Sequence, residues 1–273
     1  MRLAIRHTTR YRFDRPVAYG LQRLRLTPKA TQGQTVAQWQ MEYQGAAEEL
    51  RYEDQHHNTV TLITVREGAE EVAITCEGEV DTQDYSGVIG QHAGHLPLWT
   101  FLRQTQLTRP GPAMMALAQE VGGQSADRLA MLHDLSARVL SGAAYATGTT
   151  DTRTTAEEAL AAGQGVCQDH AHIFIGTARQ LGVPARYVSG YLLMDDRVEQ
   201  EATHAWAEAH VEGLGWVGFD ISNGISPDAR YVRVATGRDY RDAAPILGIS
   251  YGAAMAETAV EVRVAQQQGA QQQ

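Results

Sequence analysis

The chemistry legible in this chain centres on a thiol. The stretch Gly163-Gln-Gly-Val-Cys167 opens with two glycines and leads into an apolar run, Ile173–Leu181, closed by Gly182 and Pro184. That pattern sets Cys167 at or just before the first turn of a helix, where unpaired amides and the positive end of the dipole favour a thiolate. The glycines permit tight backbone geometry and leave the sulfur uncrowded. A cysteine so placed also suits a buried structural role, and this segment alone leaves both readings open. A thiolate nucleophile needs a base. From His204 to Val211 the sequence alternates strictly, so His204, Trp206, Glu208 and His210 share one strand face while Ala205, Ala207, Ala209 and Val211 share the other. Glu212–Gly215 then turns the chain into Trp216–Asp220. A register that pairs Asp220 with His204 or with Trp206 puts carboxylate and imidazole on one face, where the carboxylate could hold the ring; a register shifted by one residue would separate them.

The other polar residues nearby carry quieter expectations. On a helix Asp169 and His172 share one flank and Cys167 and His170 another, which argues against a closed metal site and for Asp169 and His172 as a hydrogen-bond network behind the thiol. His56-His57-Asn58 reads as a turn rather than a site, and His92 and His95 have no partner nearby in sequence. His210, close to the hairpin turn, is expected to meet solvent, and Trp206 and Trp216 to form core or cleft wall. Cys76 lies in phase with Val72, Ile74, Gly78 and Val80 and is expected inside a sheet core.

The elements that would position these groups fall in two parts. Residues 1–84 read mainly as strands, with Val36–Tyr43, Thr59–Val65 and Val72–Val80 the clearest; Ala37, Trp39, Met41 and Tyr43 form an apolar face in the first. Residues 85–112, with scattered glycines and prolines, read as a connecting segment. Helical spacing follows at Ala113–Val121 and Asp127–Leu140. A third helix opens at Thr155, where Thr155 and Glu158 form a capping box, and ends at Gly163. Strands are expected at Ala185–Met194, His204–Val211 and Trp216–Asp220. The fold class is α+β: an N-terminal antiparallel β domain (1–84), a connecting segment (85–112), a core (113–265) with the thiol-bearing helix packed on an antiparallel sheet, and a frayed glutamine-rich tail (266–273).

Composition excludes several classes. The chain has 273 residues and a net charge of −9. Lys29 is the only lysine, so no phosphate-binding Gly-Lys-Ser/Thr loop exists, and Lys29 sits beside Pro28 in a polar turn ill suited to desolvate an amine for Schiff-base chemistry. The basic residues cluster in residues 1–30 and read as an ion-paired strand face; the acidic remainder argues against nucleic acid as a partner. No apolar run approaches a membrane span, and Met1–His7 offers no apolar core for a signal peptide, so a cytoplasmic location is expected. Two cysteines are too few for a disulfide framework.

Three boxes in order resemble one family. Gly-Val-Cys-Gln-Asp at 165–169, His-Ala-Trp-Ala-Glu at 204–208 and Trp216-x-x-Phe-Asp220 are similar to the core of the transglutaminase-like superfamily, in the bacterial branch with an added N-terminal β domain. His7–Phe13, Leu21–Pro28 and Gly237–Pro245 resemble that branch too. The resemblance implies a papain-like core with Cys167 as nucleophile, His204 as its base and Asp220 as the residue that orients the histidine. It implies thiol-dependent acyl transfer, hydrolysis of an amide or peptide bond first and amine-dependent transglutamination second, with a peptide or protein amide as substrate and no cofactor or metal. A binding module that keeps the fold without turnover is the competing class. Tetrahedral intermediates would need donors: the Cys167 amide is the first, and Gln164, Tyr145 and Gln168 are candidates for the second. The sequence departs from the family at Asp220-Ile-Ser-Asn-Gly224, which lacks the usual proline, and at His170, where an aromatic residue is more usual.

Overall fold

The computed structural model describes residues 1–123, 127–195, 197–200, 202–252 and 256–267. The β-rich N-terminal third forms β1 (Arg2–Phe13), β2 (Tyr19–Leu24), β3 (Gln34–Gln44), β4 (Ala46–Glu53), β5 (Thr59–Val65) and β6 (Glu71–Thr82). These divide between two antiparallel sheets, one built on β1, β6 and β3 and the other on β2, β5 and β4. Leu24, Ile63 and Val65 from one and Val72, Ile74 and Cys76 from the other share a core. Arginines on β1 meet acids on β6, as in Arg2–Asp81 at 2.7 Å and Arg6–Glu77 at 3.3 Å, so the basic start of the chain is an ion-paired strand face. On β3 a bulge between Val36 and Gln38 turns Ala37 out to solvent and leaves Trp39, Met41 and Tyr43 to pack inward.

The segment expected to be irregular carries β7 (Val88–Gly90) and a single 3-10 turn, Leu98–Leu102. Then come α1 (Pro112–Gly122), α2 (Arg128–Gly142), β8 (Ala144–Tyr145), α3 (Ala156–Ala162), β9 (Gln164–Gly165), α4 (Cys167–Gln180), β10 (Ala185–Leu192), β11 (Glu199–Gln200), β12 (His204–Val211), β13 (Gly215–Phe219), β14 (Tyr231–Gly237), the short α5 (Tyr240–Ala243), β15 (Ile246–Tyr251) and β16 (Ala256–Gln266). The Thr155–Glu158 capping box is present, and Gly163 closes α3 in the left-handed region at φ 68. A five-stranded antiparallel sheet in the order β14-β10-β12-β13-β7 forms the floor of the core. α4 lies on the alanine face of β12, where Ala205, Ala207 and Ala209 join Ala171, Phe174 and Ile175 in one cluster. Small side chains let the helix approach closely. α1, α2 and α3 cover its outer side, and at Gly176 an added Cβ would stand 2.2 Å from the Thr108 carbonyl oxygen.

The end of the chain is placed differently from the expected core of 113–265 and tail from 266. β15 pairs with β2, and β16 pairs with β1 from Leu3↔Gln266 to Phe13↔Ala256. β1 has β6 on one side only, and β16 supplies the partner its other edge would lack, burying Val262 and Val264 beside Leu3 and Ile5. The Gln267 amide also donates to the Arg2 carbonyl at 2.9 Å; residues 268–273 lie outside the described residues.

The outer edge of β14 is covered by side chains. Gln34 accepts from the Arg233 amide at 2.7 Å and donates to its carbonyl at 2.8 Å. Asn58 does the same to Thr236, at 2.9 and 2.8 Å.

Candidate active site

Cys167 is the first residue of α4, and the loop before it is held on two sides. β8 and β9 pair in parallel, Tyr145 opposite Gly165. The Asp169 carboxylate accepts from the Val166 amide at 2.8 Å and the Thr150 hydroxyl at 2.7 Å, pinning the residues that precede the thiol. Burial raises the Asp169 pKa, and these hydrogen bonds pull it back. Gly165 makes the arrangement possible, since a Cβ there would stand 2.7 Å from that of Asp169. Cys167 is half-exposed at the surface of this loop. Cys76 is the opposite case: 0% exposed, 3.6 Å from the Tyr191 hydroxyl, its thiol pushed up to about 12 by burial.

His204 opens β12. The hairpin pairs Ala207 with Phe219, a register that continues to Trp206 opposite Asp220 and leaves His204 diagonal to it. The imidazole Nε2 donates to Asp220 Oδ2 at 2.6 Å. Nδ1 is the ring nitrogen that this bond leaves free, and Cys167 lies near enough to act on the ring. Burial opposes a charge on His204, but hydrogen bonds to Asp220 and Cys167, with the negative charge of both, push it up to about 10. Burial likewise opposes ionisation of Asp220, which is 0% exposed; hydrogen bonds and charge from His204, then bonds from Tyr231 and Asn223, outweigh it and lower the pKa. The Tyr231 hydroxyl donates to Oδ2 at 2.6 Å and the Asn223 side-chain amide at 2.7 Å. Trp206 lies beside the His204 ring at 6.2 Å, and Tyr231 meets Trp206 edge-on. Imidazole and carboxylate are thus hydrogen-bonded with Cys167 nearby, and the ring is poised to carry a positive charge.

The remaining site candidates separate. Tyr145 is exposed beside the loop; burial raises its pKa, followed by the charges of Cys167 and Asp220, so it lies within the field of both. Gln164 is exposed on β9 and Gln168 half-buried in the first turn of α4. His172 is wholly buried and accepts from the Tyr240 amide at 3.0 Å; burial and then Arg179 push it down to about 3. The network expected of Asp169 and His172 is therefore two separate anchors, one on the loop before Cys167 and one on α5. His170 binds the Ser222 hydroxyl and the Ala143 carbonyl, each at 2.9 Å. Three neighbours in sequence thus serve three different partners.

Further along the face of β12 that His204 occupies, away from α4, Glu208 accepts from Arg186 at 2.6 Å and from Arg233 at 2.6 and 2.9 Å. Burial works against its charge, yet Arg233 and Arg186 bring it down to about 2. The Arg186 guanidinium lies 3.8 Å over Trp216. His210, expected to face water, packs on the same indole, and His92, which has no partner nearby in sequence, accepts from the distant Trp216 Nε1 at 3.2 Å. Lys29 also departs from expectation. Its ammonium is drawn inward onto the His56 and His57 carbonyls and Asn58 Oδ1, and burial followed by repulsion from Arg233 and Arg186 pushes it down to about 6.

Residues 3–81 match the model of the bacterial transglutaminase-like N-terminal region, and residues 115–221 match that of the transglutaminase-like superfamily core. The chain belongs to the transglutaminase-like superfamily. Its relatives include an uncharacterized protein of Mycobacterium leprae, 28% identical with 96% of this chain and 98% of the relative covered, and one of Mycobacterium bovis, 30% identical with 92% and 88% covered. The crystal structure of a candidate cysteine protease from Cytophaga hutchinsonii superposes with a TM-score of 0.77 at 21% identity, over 97% of this chain and 90% of that one, and shares the fold. The superfamily match ends one residue beyond Asp220. Tyr231 falls outside it and was not anticipated from sequence, because its place at Asp220 depends on the pairing of β14 with β10. Asn223 had a signal in the retained Asn-Gly after Asp220, although its role did not. No helix among the described residues is long and apolar enough to cross a membrane.

Proposed function

We propose that this protein is a thiol-dependent acyl-transfer enzyme that hydrolyses amide or peptide bonds, with Cys167 as nucleophile, His204 as base and acid, and Asp220 as the group that orients the ring. The observation that supports it is the His204 Nε2 to Asp220 Oδ2 bond at 2.6 Å, with Cys167 near enough to raise the charge-carrying tendency of the same ring. The thiolate adds to the carbonyl carbon, and the oxygen takes up negative charge facing the Cys167 backbone amide, with Tyr145, Gln164 or Gln168 as further donors. As the intermediate collapses, the C–N bond breaks and the imidazolium delivers its proton to the departing amine, leaving a thioester. Water then gives a proton to His204 and its oxygen to the acyl carbon, and the C–S bond breaks to release the carboxylic acid and restore the thiolate beside the imidazolium. Asp220 holds the tautomer and offsets the charge on the ring throughout. The N-terminal β domain serves this reading as the support for β14, which carries Tyr231.

Iodoacetamide labelling followed by peptide mass spectrometry tests the nucleophile. Cys167 should be modified at least about a hundredfold faster than Cys76, whose thiolate fraction at neutral pH is about one part in 10⁵. Equal, slow labelling of both would remove the basis of the proposal. Incubation with a peptide library and a labelled primary amine then separates the reactions. Hydrolysis releases the free acid, transglutamination incorporates the amine, and a binding module retains peptide unchanged, equally well with Cys167→Ala.

A further inference from the structure

Outside the thiol site, two histidines and a glutamate from separate segments come together. Glu53 ends β4, His57 lies in the turn between β4 and β5, and His95 lies in the segment after β7. One donor atom from each stands within 4.8 Å of the others. His57 Nδ1 is 2.5 Å from Glu53 Oε1, and the two imidazole centroids are 4.4 Å apart. We infer that Glu53, His57 and His95 form a binding site for a divalent transition-metal ion of the Zn²⁺ type, clipping the β4–β5 turn to the segment after β7.

The chemistry of the donors selects the ion. Two imidazole nitrogens and one carboxylate oxygen suit a borderline cation better than Ca²⁺ or Mg²⁺, which prefer all-oxygen shells. Zinc bonds of about 2.0–2.2 Å place tetrahedral ligands roughly 3.3–3.6 Å apart, so movement of about 1 Å by the exposed His95 side chain would close the set around an ion and leave one position for water. The rest of the cradle is built. His57 sits in the left-handed region at φ 56, its amide donating to the Asp54 carbonyl at 2.9 Å. Lys29 holds the His57 carbonyl at 2.7 Å, and Asp54 accepts from the amides of His56 and Asn58. Without an ion, the hydrogen bond between His57 and Glu53 occupies the two donors. The consequence of binding is mechanical. Glu53 and His57 line a cavity of about 650 Å³ whose walls include His92, Leu96, Arg186, Trp216 and Arg233, and the clip would fix the segment that closes one side of it.

The test uses the full chain carrying Cys167→Ala, so that the thiol cannot compete, stripped with chelator and titrated with ZnCl₂ by calorimetry at pH 7.5. One equivalent should bind with a Kd of about 10 μM or tighter, and CoCl₂ should give the visible absorption of a four- or five-coordinate site. His95→Ala, Glu53→Gln and His57→Asn should each weaken binding about tenfold or more. Asparagine tolerates the left-handed turn at 57, and circular dichroism checks that each variant is folded. Absence of Zn²⁺ binding, or unchanged affinity in folded His95→Ala, overturns the inference.

Discussion

Replacing Asp220 with asparagine tests the electrostatic heart of the site. An asparagine oxygen can occupy the Oδ2 position, where His204, Tyr231 and Asn223 donate at 2.6, 2.6 and 2.7 Å, so the geometry is kept and the charge is removed. A hydrogen bond to a charged acceptor contributes about 1.5–3 kcal/mol against about 1 for a neutral one. The imidazolium should therefore lose about 1–2 kcal/mol, or roughly 5- to 30-fold in the population of the form that supports a thiolate. Measured as the second-order rate of Cys167 alkylation from pH 5 to 9, Asp220→Asn should react about 5- to 30-fold more slowly at pH 7. The stability consequence has a definite sign. His204, raised from 6.5 to about 10 by folding, contributes stability fully below pH 6.5 and loses it as the pH rises toward 10. Asp220, lowered from 3.8, contributes above that value and loses its contribution as the pH falls below it. The deficit of Asp220→Asn should then be widest between about pH 4 and 6.5 and close toward pH 10. An alkylation profile superimposable on that of the unmodified chain would refute the assignment of Asp220 as the group that sustains the charged ring.

Other perturbations follow from the same geometry. Glu208→Gln leaves Arg186 and Arg233 without their buried counter-charge and should destabilise by about 3–5 kcal/mol in urea; a change below about 1 kcal/mol would mean the cluster is solvated. His172, lowered by burial to about 3 from 6.5, is protonated first in the unfolded chain, so stability should fall as the pH drops from about 6.5 toward 3. His172→Gln, which can still accept from the Tyr240 amide, should flatten that slope, and an unchanged slope would contradict the assignment. Val264, fully buried on β16, should contribute about 2 kcal/mol measured as Val264→Ala, whereas no loss would mean that β16 does not hold its place on β1.

What the sequence disclosed and what it hid divide along the range of the interaction. The capping box at Thr155, the strict alternation from His204 and the helix beginning at Cys167 are local, and each appears where the residue pattern puts it. The hairpin register was left open between pairings that share a face and one shifted by a residue, and the observed one sets His204 diagonal to Asp220. Tyr231 could not be read the same way, because it reaches Asp220 only after β14 has paired with a strand some forty residues earlier. Nor could the return of β16 to β1: the alternation of Val260, Val262 and Val264 fits a strand, but nothing local names β1 as its partner. His57 and His95 each looked solitary because nothing in a linear spacing brings a turn after β4 against the segment after β7.

The two carboxamides on the rim of β14 have a consequence for how this architecture can be taken apart. Gln34 and Asn58 imitate a neighbouring strand, each offering one acceptor and one donor to a single residue of the rim. While they are in place, no foreign chain can extend the ladder there. A gene rearrangement that grafted the helical half onto another leader would strip that cover, and the transplanted sheet would present a ready template for sticking to its own copies. The leading strands thus work as a built-in guard against self-association, which gives the two halves a reason to travel together.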